Sequence, residues 1–256
     1  MLVVLGALRE EITDLRRRMI VEGIFPKDDN RIYQGKYANK DILLAQTGIG
    51  RQKAERATEF ILDHYPVTAL ICLGFAGALA RELKVGDVVL ITTLYSGDEP
   101  TNGDLIPQIP GYSDTNLVSI AAQSQESKGS GFLQASSITV VNPVSEPKAK
   151  LALGEASHAK VVDMESYWIA RLASAKNIPF LSIRAVSDTV DDRLPPFDRL
   201  LNSGSWQWGR ATLYFLTHPQ QLTNLFHLYR NARQARRSLT AFMDSFIVKL
   251  EIDREN

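Results

Sequence analysis

The sequence has little cysteine, few histidines and no excess of charge of either sign. Cys72 is the single cysteine, so no disulfide can form within the chain, which fits a reducing compartment. The four histidines are scattered without the spacing of metal ligands. Basic and acidic residues number 29 each, so the basic excess that is usual in nucleic-acid-binding proteins is absent. We therefore expect neither a metal site nor a nucleic-acid partner.

Long hydrophobic runs are also missing. No apolar stretch approaches the roughly 18 residues that a membrane span needs. The first residues, MLVVLGALREE, reach acidic residues after a short apolar run, which is not typical of a signal peptide. We expect a cytoplasmic protein. Apolar residues make up 45% of the 256, enough for one domain over residues 1–256 with a substantial core.

Short apolar runs alternate with helical patterns along the chain. Strands are predicted near residues 2–5, 32–37, 41–45, 69–73, 88–91, 137–141 and 179–186. A helix is predicted to begin at residue 10, and further helices over about 51–64, 117–127 and 164–176. Residues 96–115 read as a long loop, and the tail from about residue 198 reads as helical. This alternation predicts an α/β fold with helices on both faces of the sheet.

Glycines and acids follow several of the predicted strands. Ligands bind beyond the carboxyl ends of strands in open α/β sheets, where glycines permit close approach and acids can move protons. The residues in these positions include Gly6, Glu10, Glu11, Gly48, Gly74, Gly77, Glu165, Ser187 and Asp188. Simpler explanations stay open for each of them. Acids in a first helical turn stabilise the helix dipole, and Asp188 or the glycines can simply form turns.

Several motifs together resemble those of a known enzyme family. GALREE, TGIG, GFAGAL, LKVGDVV, VVDMES and RAVSD occur in this order between residue 1 and about residue 192. They are similar to GAMEEE, SGIG, GSAGGL, LKVGDIV, VEMEA and RAISD of the methylthioadenosine/adenosylhomocysteine nucleosidases, which belong with the purine nucleoside and uridine phosphorylases. The resemblance implies a central mixed sheet, twisted towards a barrel and flanked by helices. It also implies a homodimer or a larger homo-oligomer.

The same resemblance implies roles for individual residues. Asp188 would protonate or hydrogen-bond N7 of a purine, and Ser187 would steady its carboxyl group. Glu165 would bind the ribose hydroxyls, and Glu11 would activate the attacking water, although the register between Glu10 and Glu11 stays open. The remaining substrate-binding residues would be Gly6, Gly48, Phe75, Ala76, Gly77 and Met164, with the backbone of residues 141–144 near the base.

These residue types suit cleavage of an N-glycosidic bond. The sugar becomes oxocarbenium-like in the transition state, and a purine leaves poorly unless N7 is protonated. A buried aspartic acid can supply that proton, and a carboxylate near the sugar stabilises the developing positive charge. The reaction needs neither a metal nor an organic cofactor. The expected substrate is a small-molecule nucleoside.

The sequence departs from the family pattern where the phosphorylases bind phosphate. Their Arg and Ser are replaced here by Cys72 and Phe75. The exchange favours water as the nucleophile, with a phosphate-dependent phosphorylase as the alternative. A non-catalytic nucleoside-binding protein is a second alternative. Tyr167 and Trp168 also replace small residues of the family.

Residues 193–256 form a divergent tail that is longer than the family's usual closing helix. It resembles the hopanoid-associated branch, thought to remove adenine from adenosylhopane, so an apolar or bulky 5′ group is expected. An apolar stripe in residues 206–229 is predicted to form about two short helices bordering that 5′ group. Packing against the sheet or a second subunit is an equally strong interpretation. Arginines 230, 233, 236 and 237 follow the stripe and could contact acidic lipid headgroups.

Overall fold

Strands and helices alternate in the computed structural model, which describes residues 1–27, 30–97, 110–126, 132–194, 201–202, 205–206 and 220–250. The strands are β1 Leu2–Gly6, β2 Ile20–Lys27, β3 Asn30–Tyr37, β4 Lys40–Gln46, β5 Ala69–Ala78, β6 Val88–Ser96, β7 Gly111–Tyr112, β8 Phe132–Thr139, β9 Val161–Asp163, β10 Phe180–Asp188, β11 Leu201–Asn202 and β12 Ser205–Trp206. The helices are α1 Arg9–Arg18, α2 Arg51–His64, α3 Thr115–Glu126, α4 Pro147–Ser157, α5 Ser166–Ala175 and α6 Gln220–Lys249.

One mixed sheet of ten strands organises the fold. Its order is β10-β6-β8-β9-β5-β1-β4-β3-β2, with β7 paired to β6. An additional pairing between β10 and β5 joins the start of this path to its middle, so that β10, β6, β8, β9 and β5 form a closed ring. The predicted α/β fold, with a twisted mixed sheet tending towards a barrel, is confirmed.

The central strands are parallel and covered on both faces. β5 pairs in parallel with both β1 and β10, and every residue of β1 and β10 is buried. Alternate side chains enter different layers. Val4 and Ile71 pack towards α1, α3 and α6, whereas Val3 and Leu70 pack towards α2 and α5. This double cover explains the continuous apolar runs in the sequence.

Some boundaries differ from the sequence prediction. The segment Gly74–Gly77 was predicted to end a strand, but β5 continues through it because it pairs with β10 up to Asp188. Strand β2 was not predicted. It lies at the edge of the sheet, contains Gly23 and Pro26, and has a register shift between Val21 and Gly23, all of which weaken a strand pattern. Helix α4, which begins at Pro147, was also missed.

The C-terminal part of the chain differs from the prediction as well. Residues 220–229 belong to the single long helix α6, and Trp206 lies in the short strand β12 paired with β11. The other residues of the predicted apolar stripe lie outside the described residues. Apolar side chains of α6 pack into the core beside the central strands; they include Phe242, Met243, Phe246 and Ile247. Within the described part of the chain, no helix combines the length and hydropathy that crossing a membrane requires.

The packing of α6 predicts that the tail contributes to the stability of the whole fold. Phe246→Ala should lower the free energy of unfolding by about 3–5 kcal/mol, because Phe246 is fully buried in the core. Val248→Ala is the matched control on the same helix: Val248 is 63% exposed, and its truncation should cost less than about 0.5 kcal/mol. Urea unfolding measures both. Equal decreases in the free energy of unfolding for the two variants would show that the side chains of α6 are not part of the core.

Candidate active site

A cavity of about 400 Å³ opens where β1, β5, β9 and β10 approach α1, α5 and α6. Its volume is within the range of small-molecule sites. The acids that line it are Glu10, Glu11, Asp163, Glu165 and Asp188. Most of the remaining wall is apolar: Ala7, Leu8, Ile49, Phe75, Ala76, Val140, Pro143, Val144, Val162, Met164, Leu194, Leu228 and Ala232. The cavity therefore combines buried carboxyl groups with an apolar surround.

Glu11 is held by two backbone N–H groups. It lies in the first turn of α1 and is 3% exposed. Its Oε2 accepts the Leu8 N–H at 2.8 Å, and its Oε1 accepts the Phe75 N–H of β5 at 2.8 Å. Burial raises the pKa of Glu11, against the opposing effects of these N–H groups and of Arg184. Glu10 also lines the cavity but is exposed, so the structure distinguishes the two candidates by burial.

Glycines allow this close packing. A Cβ at Gly6 would lie 2.6 Å from Cγ2 of Ile12, and a Cβ at Gly74 would lie 2.8 Å from Glu11 Oε1 and collide with the Arg184 guanidinium. Gly6 therefore lets α1 turn tightly onto β1. Gly74 leaves the space in which a carboxylate and a guanidinium approach each other.

Glu165 precedes α5 at its N-cap position and is 6% exposed. Its Oε1 accepts the Gly50 N–H at 2.8 Å. Gly50 adopts φ +89°, a conformation that glycine takes without strain. Burial raises the pKa of Glu165 to about 8, and the neighbouring Asp163 carboxylate adds to the increase. Among the residues of TGIG, it is therefore Gly50 rather than Gly48 that contacts this acid.

Arg184 and Asp163 form a buried ion pair beside these acids. Asp163 follows a short apolar run in the sequence, but no role was predicted for it or for Arg184. Arg184 Nε lies 3.0 Å from Asp163 Oδ2, and Arg184 Nη2 lies 3.2 Å from Cys72 Sγ. Burial opposes the charge of Arg184, but Asp163, Cys72, Glu165 and Glu11 hold its pKa above the ordinary value. A lone arginine in the apolar strand around RAVSD was the signal, since a buried cation needs an anionic partner.

Asp188 ends β10 and is 4% exposed. Its Oδ1 accepts the Ser187 hydroxyl at 2.8 Å, the contact expected from the sequence. Its Oδ2 accepts the Lys150 ammonium at 2.5 Å, in an ion pair whose lysine side chain is fully buried. Lys150 was not predicted as a site residue, because it lies on α4, a helix that was itself not predicted.

The structure brings together most of the residues selected from the sequence. Those that line the cavity are Glu11, Phe75, Ala76, Gly77, Met164, Glu165, Ser187 and Asp188. Gly6 and Gly48 are not in its wall. They lie behind it, where the Gly48 N–H donates to the Ala7 carbonyl at 3.1 Å and the Thr47 N–H donates to the Gly6 carbonyl at 2.9 Å.

The segments expected near the base and the 5′ group are partly present at the cavity. Pro143 and Val144 of the predicted stretch 141–144 line it, whereas Val141 is exposed and does not. Leu228 and Ala232 bring α6 to the cavity. One end of the apolar stripe therefore reaches the site.

The family of the chain follows from its match to a family model. The model of the phosphorylase superfamily matches residues 1–203. The chain belongs to the phosphorylase superfamily. A 5'-methylthioadenosine/S-adenosylhomocysteine nucleosidase from Haemophilus influenzae is 30% identical over 200 residues, which cover 74% of this chain and 86% of that relative. The same enzyme of Bacillus licheniformis is 28% identical over 196 residues, covering 73% and 85%.

Two solved structures share the fold of this chain. The nucleosidase of Neisseria meningitidis in complex with methylthio-immucillin-A has a TM-score of 0.79 at 24% identity, covering 97% of this chain and 99% of that one. Futalosine hydrolase of Helicobacter pylori has a TM-score of 0.73 at 22% identity, covering 95% and 97%. The likeness in fold covers almost the whole chain.

The raised pKa of Glu165 makes a prediction about stability. The folded protein keeps this proton up to a pH of about 8, whereas the unfolded chain loses it near 4.5. The contribution of Glu165 to the free energy of unfolding is therefore complete below pH 4.5. It is lost as the pH rises to about 8. The free energy of unfolding of the wild type, relative to Glu165→Gln, should fall by about 1 kcal/mol per pH unit in this window.

Urea unfolding of both proteins between pH 5 and pH 9 measures this difference. Glu82→Gln is the control, since Glu82 is exposed and its pKa is lowered by Lys160, so that it is ionised in both states throughout this range. Its difference from the wild type should not change with pH. A constant difference for Glu165→Gln would contradict the prediction.

Proposed function

We propose that this member of the phosphorylase superfamily hydrolyses the N-glycosidic bond of an adenine nucleoside. The observation that carries the proposal is that Glu11, Glu165 and Asp188 line one cavity. The relatives that match most of the chain are named as nucleosidases of methylthioadenosine and adenosylhomocysteine. The fold and the acids thus point to the same reaction.

Each acid is proposed to have one role. Asp188 donates a proton to N7 of the adenine, so that the base leaves as a neutral molecule. Glu165 accepts hydrogen bonds from the ribose hydroxyls, and Met164 packs against the sugar. Glu11 takes a proton from the water that attacks the anomeric carbon. Its two backbone N–H contacts support this role, because they hold the carboxyl group in place before the water arrives.

The charges around the cavity favour water over phosphate as the nucleophile. Arg184 could supply a cation in place of the arginine that Cys72 replaces. However, Arg184 is paired with Asp163, and Glu11 and Glu165 lie within its electrostatic reach. A phosphate dianion would therefore meet more carboxyl groups than cations. Phe75 adds an apolar ring where a phosphate-binding hydroxyl would otherwise stand.

The first prediction from this proposal is that adenine release needs no phosphate. Purified protein in phosphate-free buffer should release adenine from methylthioadenosine at a rate that added phosphate does not increase. Coupled detection of free adenine measures the rate, and the identity of the sugar product gives a second reading. A strict phosphate requirement, with a ribose 1-phosphate product, would show a phosphorylase. Tight binding without turnover would show a nucleoside-binding protein.

The apolar wall supports a substrate with an apolar 5′ substituent, such as methylthioadenosine or adenosylhopane. Leu194, Leu228 and Ala232 give the cavity apolar surface beyond its acids. A cavity of about 400 Å³ is near the small end of the range for small-molecule sites, so a hopanoid group would extend past its mouth. A panel of substrates that tests this should therefore include 5′-alkylthioadenosines of increasing chain length together with inosine.

We also propose that the protein is a cytoplasmic homo-oligomer. Its C-terminal tail is proposed to make peripheral contact with a membrane. Tyr229, Arg230, Arg233 and Arg237 are exposed on α6, so an apolar ring and three cations could reach acidic headgroups. Arg236, which was predicted to share this role, lies against Asp14 at 2.9 Å and is less exposed. The prediction for Arg236 is therefore replaced by a role in packing α6 against α1.

The second prediction concerns the proposed acid. Asp188→Asn should lower kcat for adenine release by about 10²-fold or more, because an amide cannot donate its proton as a carboxylic acid does. Asp191→Asn is the control, since Asp191 lies in the loop that follows and its side chain is 69% exposed. It should keep wild-type turnover. Steady-state kinetics with circular dichroism as a check of folding measures both, and near-normal turnover by Asp188→Asn would contradict the mechanism.

A further inference from the structure

Lys150 is a fully buried lysine directed at the cavity acid Asp188. It lies on α4, and its ammonium has three acceptors: Asp188 Oδ2 at 2.5 Å, the Thr189 carbonyl at 2.8 Å and the Asp192 carbonyl at 3.1 Å. An ammonium group has three N–H donors. All three are therefore used, and the side chain is held in one place as a cation.

Packing alone does not explain why a lysine is buried at this position. Burying an ion is costly, and an apolar side chain of similar volume often gives equal or greater stability than a buried ion pair. The partner of Lys150 is not a distant structural acid but the carboxyl group that lines the cavity at the end of β10. The cost of the buried cation is thus incurred beside the proposed proton donor.

Lys150 is the cation that contacts Asp188 among the described residues. On β10, Ser187 donates a hydroxyl to Oδ1. On β5, Gly77 faces Oδ2, where a Cβ would lie only 2.9 Å away, so no side chain enters from that strand. In the loop that follows, Asp192 is occupied by the N–H and the hydroxyl of Thr189. Asp191 pairs with Arg81.

The other charged groups belong to neighbouring walls of the cavity. Glu10 and Glu11 approach from α1, Glu165 precedes α5, and Asp163 ends β9 with Arg184 paired to it. These groups are mostly acids. The positive charge at Asp188 therefore comes from α4, through Lys150.

We propose that Lys150 is a positioning residue for proton transfer from Asp188 to the base. This inference rests on the proposed function. Asp188 first takes up a proton from solvent; when it passes this proton to N7, the O–H bond breaks and its electron pair stays on Asp188, which restores the carboxylate that faces Lys150. The Lys150 ammonium stabilises that carboxylate and fixes Oδ2, while Ser187 fixes Oδ1. The same ammonium donates to the carbonyls of Thr189 and Asp192, so it also connects the loop after β10 to α4.

The test compares Lys150→Met with Lys148→Met. Methionine keeps most of the volume of lysine and removes the charge, and Lys148 is an exposed lysine on the same helix. Lys150→Met should lower kcat by about tenfold or more with a smaller change in KM, because a misplaced acid affects the chemical step. Lys148→Met should behave as the wild type. A wild-type kcat for Lys150→Met would overturn the inference.

The pH dependence separates positioning from a purely structural role. The alkaline fall of kcat/KM should move upward by about one pH unit in Lys150→Met, because the variant lacks the cation that lies beside the proton donor in the wild type. Structural damage alone would lower the whole profile without moving this limb. A lower profile with an unmoved limb would therefore also overturn the inference.

A double variant keeps the test decisive if Lys150→Met does not fold. Asp188→Asn/Lys150→Met removes both charges, so neither partner stays buried without the other. If Lys150 acts through Asp188, the double variant should release adenine within about twofold of Asp188→Asn alone, since residues that act as a unit are non-additive. A further tenfold loss would overturn the inference. Absence of adenine release by the wild type would instead contradict the proposed function.

Discussion

The parallel pairing of β5 with β10 determines where the charged groups of this protein can lie. Its register places Gly74 opposite Arg184 and Gly77 opposite Asp188. Each glycine leaves a space that the opposite polar side chain occupies, so two ionic groups can lie against β5. The same pairing closes the ring of strands. The closed ring and the placement of Arg184 and Asp188 therefore have one origin.

Buried carboxyl groups in such a sheet need compensation, and the chain supplies it mainly from its backbone. Glu11 receives N–H groups from Leu8 and Phe75, and Glu165 receives one from Gly50. Arg184 neutralises Asp163 and lowers the cost of the other two acids. Because this compensation is incomplete, burial still raises the pKa of Glu11 and of Glu165. A carboxyl group with a raised pKa is a stronger base, which suits the role proposed for Glu11.

The long helix α6 links the stability of the fold to the shape of the cavity. Phe246 and its neighbours are part of the central core, while Leu228 and Ala232, nearer the start of the helix, line the cavity. A helix anchored in the core at one end can present a well-defined apolar wall at the other. Because α6 both packs in the core and lines the cavity, the divergent tail is placed where it could contribute to the proposed selection of the 5′ group.

The amino-acid sequence by itself determined the α/β class and the main central strands, because apolar runs are local patterns. Its motifs, through their resemblance to a known family, selected Glu165, Asp188 and one of the pair Glu10 and Glu11. Only the tertiary structure separated Glu10 from Glu11 by burial, since both are first-turn acids and Glu11 is buried whereas Glu10 is exposed. It also decided that Gly50, not Gly48, meets Glu165. Lys150 reaches Asp188 across 38 positions of sequence, from a helix that no local pattern had predicted. Such a pairing depends on strand register and helix placement, which the spacing of residues along the chain does not encode.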